Sequence, residues 1–146
     1  MTTISIIIPV YNEEKTIIQV LEQIQAQHFE AISLEVIVVD DGSTDGTAKL
    51  IEANRKLVAH YIRQPQNRGK GAAVKAGLQA ATGDFVLFQD ADLEYNPVDY
   101  GKMFKPLLLF DADVVMGSRM VAPEYTRVSC FWHKRGDRTI TFIFNI

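Results

Sequence analysis

The chain has 146 residues, of which 47% are apolar and 23% charged, and its 15 basic and 18 acidic side chains give a net charge of −3. This size and apolar content exclude intrinsic disorder and predict one folded domain with its own core. The acidic balance leaves general nucleic-acid binding without electrostatic support, so we expect no nucleic-acid partner, and the single cysteine excludes an internal disulfide framework.

Short β-branched runs alternate with amphipathic stretches along the chain. The first predicted helix follows an N-cap at Asn12, a later one ends at a Gly83 cap, and the last of the series begins at Pro97. This alternation is typical of βαβ units, so the predicted fold class is α/β, with a mostly parallel central sheet flanked by helices. The predicted strands are 4–10, 34–39, 58–62, 85–88 and 113–116, and the predicted helices between them include 44–54 and 72–81.

The C-terminal segment differs from the rest in charge, because residues 119–146 hold five basic and two acidic side chains. Helical periodicity resumes near residue 128 and continues to Ile146 without a cap, so we expect a longer protein to continue beyond this point. No run approaches the roughly 20 apolar residues of a membrane span, and no targeting leader precedes the first predicted strand. The expected location is therefore cytoplasmic.

The clearest chemical signal is a pair of alternating carboxylates after the predicted strand 85–88. Asp90-Ala91-Asp92 places two acids on one side of an extended segment, and Glu94 adds a third. Three oxygen ligands suit Mg²⁺ or Mn²⁺, hard cations that keep substrate phosphates as further ligands. The pattern predicts a metal site formed by Asp90, Asp92 and Glu94; the alternative is a polar strand exit with solvated acids.

A second acidic pair, Asp40-Asp41, ends the predicted strand 34–39. Adjacent residues of a strand point to opposite faces, so this pair is not expected to act as one dyad. We expect Asp40 to accept hydrogen bonds from the base or ribose of a ligand, and Asp41 to fix the following turn or cap the next helix.

A glycine-rich loop, Asn67-Arg68-Gly69-Lys70-Gly71, precedes the predicted helix 72–81. Glycines, a helix N-terminus and two cations are the parts of an anion site, although a purely structural loop fits equally well. Gly71 stands where a Walker A loop needs Ser or Thr, and Val74 replaces the third glycine of a dinucleotide fingerprint.

Three further side chains follow predicted strands. Tyr11 is suited to stack on a base and Glu13 to accept from its donors; the alternatives are a rim aromatic and a first-turn helix acid. Arg119 is suited to hold a phosphate with its planar fork, and its alternative is a surface ion pair.

Together these segments resemble the GT-A glycosyltransferases of family 2, and within it the dolichyl-phosphate (polyprenyl-phosphate) mannosyl and glucosyl transferases. The resemblance implies a Rossmann-like GT-A fold, with residues 1–120 as the sugar-nucleotide-binding core and 121–146 as the start of an acceptor or membrane-proximal segment. The matching segments are IIPVYNE (7–13), VVDDGSTDGT (38–47), NRGKGAA (67–73), DADLE (90–94) and GSR (117–119).

The resemblance also implies roles for individual residues. Asp92 and Arg119 would be catalytic, and the metal set would be Asp90, Asp92 and Glu94 with Mg²⁺ or Mn²⁺. Arg119, Arg135 and Arg138 would bind the acceptor phosphate. The nucleotide sugar, GDP-mannose or UDP-glucose, would be bound by Pro9, Tyr11, Glu13, Val38, Asp40, Lys70, Asp90 and Ala91.

The implied reaction is an inverting transfer of a hexose to a polyprenyl or dolichyl phosphate at the cytosolic face of a membrane. Such an acceptor oxygen is already anionic and needs no general base. A family 2 transferase with a saccharide acceptor is one alternative, and a nucleotide-binding fragment without turnover is another. Two other classes of protein stay open. A sugar-1-phosphate nucleotidyltransferase should have a glycine-rich phosphate loop after strand one, and this chain has Tyr11-Asn12-Glu13 there. A receiver-like domain would leave Asp90 and Asp92 unexplained.

Overall fold

The computed structural model describes residues 1–110 and 112–116. Within these residues, four strands alternate with four α-helices, and two short 3-10 helices span Arg55–Leu57 and Pro97–Asp99. Residues Met1–Asp113 form one compact unit. The elements in chain order are β1 (Thr2–Val10), α1 (Ile17–Gln25), β2 (Ile32–Asp40), α2 (Thr47–Ala53), β3 (His60–Arg63), α3 (Lys70–Ala80), β4 (Phe85–Phe88) and α4 (Tyr100–Phe110).

The four strands form one sheet in the order β3-β2-β1-β4, and every neighbouring pair is parallel. The chain builds outward from β1 to β3 on one side and then returns to place β4 on the other side of β1. The change of direction falls between β1 and β4, and in open α/β sheets ligands bind at the carboxyl ends of the strands beside such a point. The predicted α/β class and parallel sheet are confirmed.

The larger core lies on the sheet face covered by α1, α2 and α4. Ile6 and Ile8 of β1 are fully buried there against Ile17 and Leu21 of α1, and Phe104 of α4 joins the same cluster. Alternate residues of β1 point to this face, which is the period-two pattern of a strand. Burial on both faces explains why β1 is a continuous apolar run.

The opposite face is covered by α3, which packs very close to the sheet. Its buried residues are Ala73 and Gly77, and a Cβ on Gly77 would lie 2.4 Å from Cγ2 of Ile7. Small side chains on α3 therefore set the short distance between this helix and β1.

Replacing Gly77 by alanine should push α3 away from β1 and lower the free energy of unfolding by about 1–3 kcal/mol, as overpacking does. Gly71→Ala on the same helix is the matched control, because a Cβ there would meet nothing within 4 Å. That control should be neutral or stabilise by about 0.4–1 kcal/mol. Urea unfolding of both variants measures the difference, and equal stabilities would contradict the packing argument.

Two predicted helix caps were wrong. Asn12 does not cap α1: it adopts a left-handed conformation with φ of 58°, and Thr16 takes the cap position. Gly83 does not cap α3, which ends in extended backbone at Ala81; instead, a Cβ on Gly83 would lie 2.8 Å from the Thr3 carbonyl oxygen. Close approach of two chain segments, rather than helix capping, accounts for this glycine.

The predicted strand 113–116 was also wrong, because these residues form no strand and Val114 and Met116 are exposed. An isolated apolar run does not form a strand unless its backbone pairs with a neighbour. The predicted helix from residue 128 lies outside the described residues.

A hydrogen-bonded cluster around Glu35 links β1, β2 and the segment before β4, away from the carboxyl ends of the strands. The carboxylate accepts from Ser5 Oγ, from Thr82 Oγ1 at 2.6 Å and from the Thr82 amide at 2.9 Å, and His60 Nε2 lies 3.5 Å away. Burial raises the pKa of Glu35, but these hydrogen bonds outweigh it and hold the pKa at about 2, against an ordinary value of 4.5.

Because the folded pKa is the lower one, the Glu35 carboxylate stabilises the fold above about pH 4.5, and this contribution is lost as the pH falls towards 2. Glu35→Gln should therefore be less stable than the parent chain at pH 7 and lose less stability between pH 5 and pH 2. Urea unfolding across this range measures it, with the exposed Glu30→Gln as the control. Parallel stability curves for the Glu35 variant and the parent would contradict the assignment.

Candidate active site

A cavity of about 200 Å³ opens at the carboxyl ends of β1, β2 and β4, beside the change in strand direction. It combines four carboxylates, one ammonium group and an aromatic ring, so it has the donors and acceptors of a polar ligand site. Its lining residues are Pro9, Val10, Tyr11, Glu13, Asp41, Lys70, Asp90, Ala91 and Asp92. Six of the predicted nucleotide-sugar residues, Pro9, Tyr11, Glu13, Lys70, Asp90 and Ala91, are among them.

The loop after β1 is fastened to the loop after β2. Asn12 donates its amide to Ser43 Oγ at 3.0 Å, and its Oδ1 accepts from the Thr44 amide at 2.9 Å. The Glu13 amide donates to Thr47 Oγ1 at 2.8 Å, which holds the base of this side chain at the cavity. The left-handed backbone at Asn12 makes these bonds available, and a short polar side chain tolerates that conformation.

The loop after β2 is in turn fastened to the N-terminus of α3 by Asp41. Its Oδ1 accepts from the Arg68 amide at 2.9 Å and its Oδ2 from the Gly69 amide at 2.7 Å. Gly42 is required beside it, because its φ is +75° and a Cβ would lie 2.6 Å from the carbonyl carbon of Gln66. Asp41 therefore both lines the cavity and holds the glycine-rich loop.

Asp40 is not among the residues that line the cavity, although the sequence suggested it as a ligand-binding acid. Its side chain is fully buried outside the cavity lining, where it accepts from the Ser43 amide at 2.8 Å and from the Tyr61 hydroxyl at 3.1 Å, with Arg63 Nε at 3.5 Å. Burial and the Asp40 charge raise the pKa of Tyr61, so the phenol stays a donor. Asp40 therefore fixes the turn, and Asp41 is the one of the two acids that lines the cavity.

Lys70 joins α3 to the loop after β4. Its Nζ lies 2.5 Å from Asp90 Oδ1, so the ammonium group stands next to the first of the two alternating acids. Lys70 is also the first residue of α3, an 11-residue helix whose N-terminal amides favour anions. The geometry supports the expected anion site in this loop.

The predicted metal set is only partly brought together. Asp90 and Asp92 both line the cavity, whereas Glu94 is not among its lining residues and its amide donates to Asp92 Oδ1 at 3.0 Å. Within the part of the chain that is described, no group of three or more His, Cys, Asp or Glu side chains could hold a metal ion. Glu94 was expected as the third ligand because alternation implies one face, but the loop turns at Leu93, where φ is 65°.

Two carboxylates still fit a divalent cation. Mg²⁺ typically takes one or two protein carboxylates and completes its octahedron with waters and substrate phosphates. Asp90 and Asp92 satisfy that requirement at a cavity where Lys70 and the α3 N-terminus would attract the phosphates.

Four predicted residues remain. Val38 does not line the cavity: its side chain is fully buried in the larger core. Arg119, Arg135 and Arg138 lie outside the described residues.

The match to a protein-family model decides the family. Residues 5–141 match the model of glycosyl transferase family 2. The chain belongs to this family. Family 2 membership and the parallel sheet with its flanking helices together confirm the GT-A fold, and the nucleotidyltransferase and receiver interpretations lose their support.

Similar proteins include an enzyme named for a dolichyl-phosphate acceptor and enzymes whose structures were solved with nucleotides. The dolichyl-phosphate beta-glucosyltransferase ALG5D of Trichomonas vaginalis is 34% identical over 86% of this chain and 42% of its own length. The glucosyl-3-phosphoglycerate synthase of Mycobacterium tuberculosis, solved with Mn²⁺, UDP and glucosyl-3-phosphoglycerate, is 34% identical, with a TM-score of 0.61 over 74% of this chain and 40% of that one. A mannosyltransferase of Pyrobaculum calidifontis, solved with GDP-Man and Mn²⁺, is 35% identical, with a TM-score of 0.56 over 61% of this chain and 27% of that one. The chain thus spans less than half the length of each of these three proteins.

Sequence reasoning missed two residues at the carboxyl ends of β2 and β4, one in the cavity lining and one beside it. Asp41 was expected to fix a turn or cap the next helix, and no signal in the sequence distinguishes it from Asp40. Gln89 was passed over, although a polar residue between an apolar strand and two acids is a signal; its side chain is 1% exposed and bonds the loop that carries both acids.

Proposed function

We propose that this chain is the nucleotide-sugar-binding part of a metal-dependent, inverting glycosyltransferase that moves a hexose from GDP-mannose or UDP-glucose to a polyprenyl or dolichyl phosphate. The observation that carries the proposal is the convergence of Asp41, Lys70, Asp90 and Asp92 on one cavity beside the change in strand direction. Family membership and the names of the relatives agree with it.

The cavity offers different chemistry along its lining. Tyr11, Glu13 and Asp41 offer a ring face and carboxylate acceptors, which suit the base and ribose of a nucleotide. Lys70 and the α3 N-terminus offer positive charge, which suits the diphosphate. This division would place the anomeric carbon of the sugar near Asp90 and Asp92.

A divalent cation held by Asp92 and Asp90 would neutralise the negative charge that develops on the diphosphate leaving group. Lys70 would shield the same charge directly, and Tyr11 and Glu13 would hold the base end so that the sugar keeps one orientation. The acceptor oxygen would then attack the anomeric carbon from the face opposite the leaving group, which inverts the configuration. A lipid phosphate oxygen is already anionic, so its attack needs no general base.

The acceptor side of the proposal rests on the segment from residue 121 onward. The lipid phosphate would be bound by Arg135 and Arg138 of this segment and by Arg119, which precedes it. Their positive charge would favour binding to anionic lipid head groups at the cytosolic face of a membrane. Among the described residues, no helix has the length and hydropathy needed to cross a membrane. The second candidate is an acceptor other than a lipid phosphate, such as a saccharide, because the Mycobacterium tuberculosis relative is named for a product that carries the sugar on phosphoglycerate and not on a lipid.

Calorimetric titration of the chain with UDP and with GDP, each with and without Mn²⁺, tests the proposal. We expect binding of one nucleotide to depend on Mn²⁺, with the preferred base identifying the donor. Adenosine diphosphate is the control for unspecific diphosphate binding. Absence of UDP and GDP binding in the presence of Mn²⁺ would overturn the sugar-nucleotide assignment.

A further inference from the structure

We propose that Gln89 is a positioning residue that fixes the loop carrying Asp90 and Asp92, and that Tyr100 connects this loop to the core. The proposal rests on the proposed function in one respect, since it takes these two carboxylates as the metal ligands. Gln89 itself does not line the cavity and acts through the loop.

The Gln89 side chain closes the loop by bonding both of its ends. Nε2 donates to the Asp90 carbonyl at 2.9 Å and to the Tyr95 carbonyl at 3.1 Å, five residues further along the chain. Oε1 accepts from the Tyr100 hydroxyl at 2.8 Å. With 1% of the residue exposed, both amide N–H groups and the amide oxygen are engaged inside the protein.

The backbone of Gln89 provides a rigid support for this side chain. Its amide donates to the Ile7 carbonyl at 3.1 Å, which continues the pairing of β4 with β1 beyond the last strand residue. Ile7 is fully buried in the middle of the sheet. The hydrogen bonds from the Gln89 side chain to the loop therefore start from a residue that is fixed to the central strand.

The loop depends on these hydrogen bonds, because the segment from Asp90 to Tyr95 has no helix or strand of its own. Leu93 adopts φ of 65°, a left-handed conformation that is unfavourable for a residue other than glycine. The Asp92 carboxylate accepts from the Glu94 amide within the same turn. A strained turn persists only when its surroundings determine it, and Gln89 supplies two of the bonds that do so.

Tyr100 fixes the other side of Gln89. It is 3% exposed, its ring lies 5.5 Å from that of Phe104, and Phe104 in turn packs against Phe29 at 5.2 Å. Burial raises the pKa of Tyr100, so the phenol keeps the proton that it donates. The loop is thereby linked through one amide to an aromatic cluster of the larger core.

The test compares three variants of the chain. Gln89→Met keeps the length and removes all three bonds, and Tyr100→Phe removes only the bond to Oε1. Ile51→Val, in the core on α2 and away from the cavity lining, is the matched control for a general loss of stability. Affinity for Mn²⁺ in the presence of saturating UDP or GDP is measured by water-proton relaxation, and amide hydrogen exchange is followed at Glu94.

We expect Gln89→Met to weaken Mn²⁺ binding by about 10–100-fold, the usual effect of removing an outer-shell hydrogen-bond partner, and to accelerate exchange at Glu94. Tyr100→Phe should move both quantities in the same direction by a smaller factor, and Ile51→Val should leave both unchanged. Should Gln89→Met fail to fold, Tyr100→Phe decides alone.

Unchanged Mn²⁺ affinity and unchanged Glu94 exchange in the folded variants would overturn the proposal. Thermal destabilisation shared equally with Ile51→Val, without either specific effect, would overturn it as well. If the parent chain binds neither nucleotide with Mn²⁺, the proposed function fails, and Glu94 exchange still decides whether Gln89 fixes the loop.

Discussion

Replacing Asp92 by asparagine is expected to weaken Mn²⁺-dependent nucleotide binding on the order of 100-fold, at the upper end of outer-shell effects because a direct ligand is removed. Asp92 lines the cavity, and a neutral amide is a much poorer ligand for a hard divalent cation than a carboxylate. Calorimetry with the preferred nucleotide, at increasing Mn²⁺ concentration, measures the effect.

The matched control for this substitution is Asp99→Asn. Asp99 carries the same group, and its side chain is 57% exposed and paired with Lys102 on the surface. We expect this control to bind Mn²⁺ and nucleotide as the parent chain does, because exposed pairs contribute little. If Asp92→Asn binds equally well, Asp92 is a loop acid and the metal site must be sought elsewhere.

Single substitutions of Asp40 and Asp41 by asparagine are expected to have different effects, one on stability and the other on nucleotide binding. Asp41→Asn should weaken nucleotide binding by about tenfold or more, because it changes a cavity carboxylate and one of its two bonds to the glycine-rich loop is lost. Asp40→Asn should lower the free energy of unfolding by about 2–4 kcal/mol, since Ser43, Tyr61 and Arg63 lose a buried charged acceptor.

Urea unfolding and calorimetric titration of both variants measure the two effects side by side. Each variant is the control for the other, because they differ by one position in the chain and by no other chemistry. We expect the folded Asp40→Asn protein to change its nucleotide affinity by less than about threefold. A large loss of affinity in Asp40→Asn together with none in Asp41→Asn would restore the ligand role that the sequence suggested for Asp40.

The different positions of these two acids could not be predicted from the sequence alone. Alternation correctly indicates that Asp40 and Asp41 face opposite sides of the strand end. Which side contains the ligand depends on the neighbours of β2, and β3 supplies Tyr61 and Arg63 on one side while α3 approaches on the other. Those neighbours are set by tertiary structure.

The strands were easier to predict than the loops. β1 and β2 are apolar runs buried on both faces, so composition alone indicates a parallel sheet. The loop from Asp90 to Tyr95 was less accessible, because extending the strand alternation past Asp92 ignored the turn at Leu93. The hydrogen bonds of Gln89 join residues through space, and no spacing rule reveals them.

The fastened loops have a consequence for how folding and binding are connected. Asn12 ties the first loop to the second, Asp41 ties the second to α3, and Lys70 ties α3 to the loop after β4. A partly folded chain in which β1, β2 or β4 is not in place would therefore present an incomplete cavity. Nucleotide should bind the fully assembled sheet alone, so the rise in melting temperature on adding nucleotide would report cooperative assembly of the whole unit.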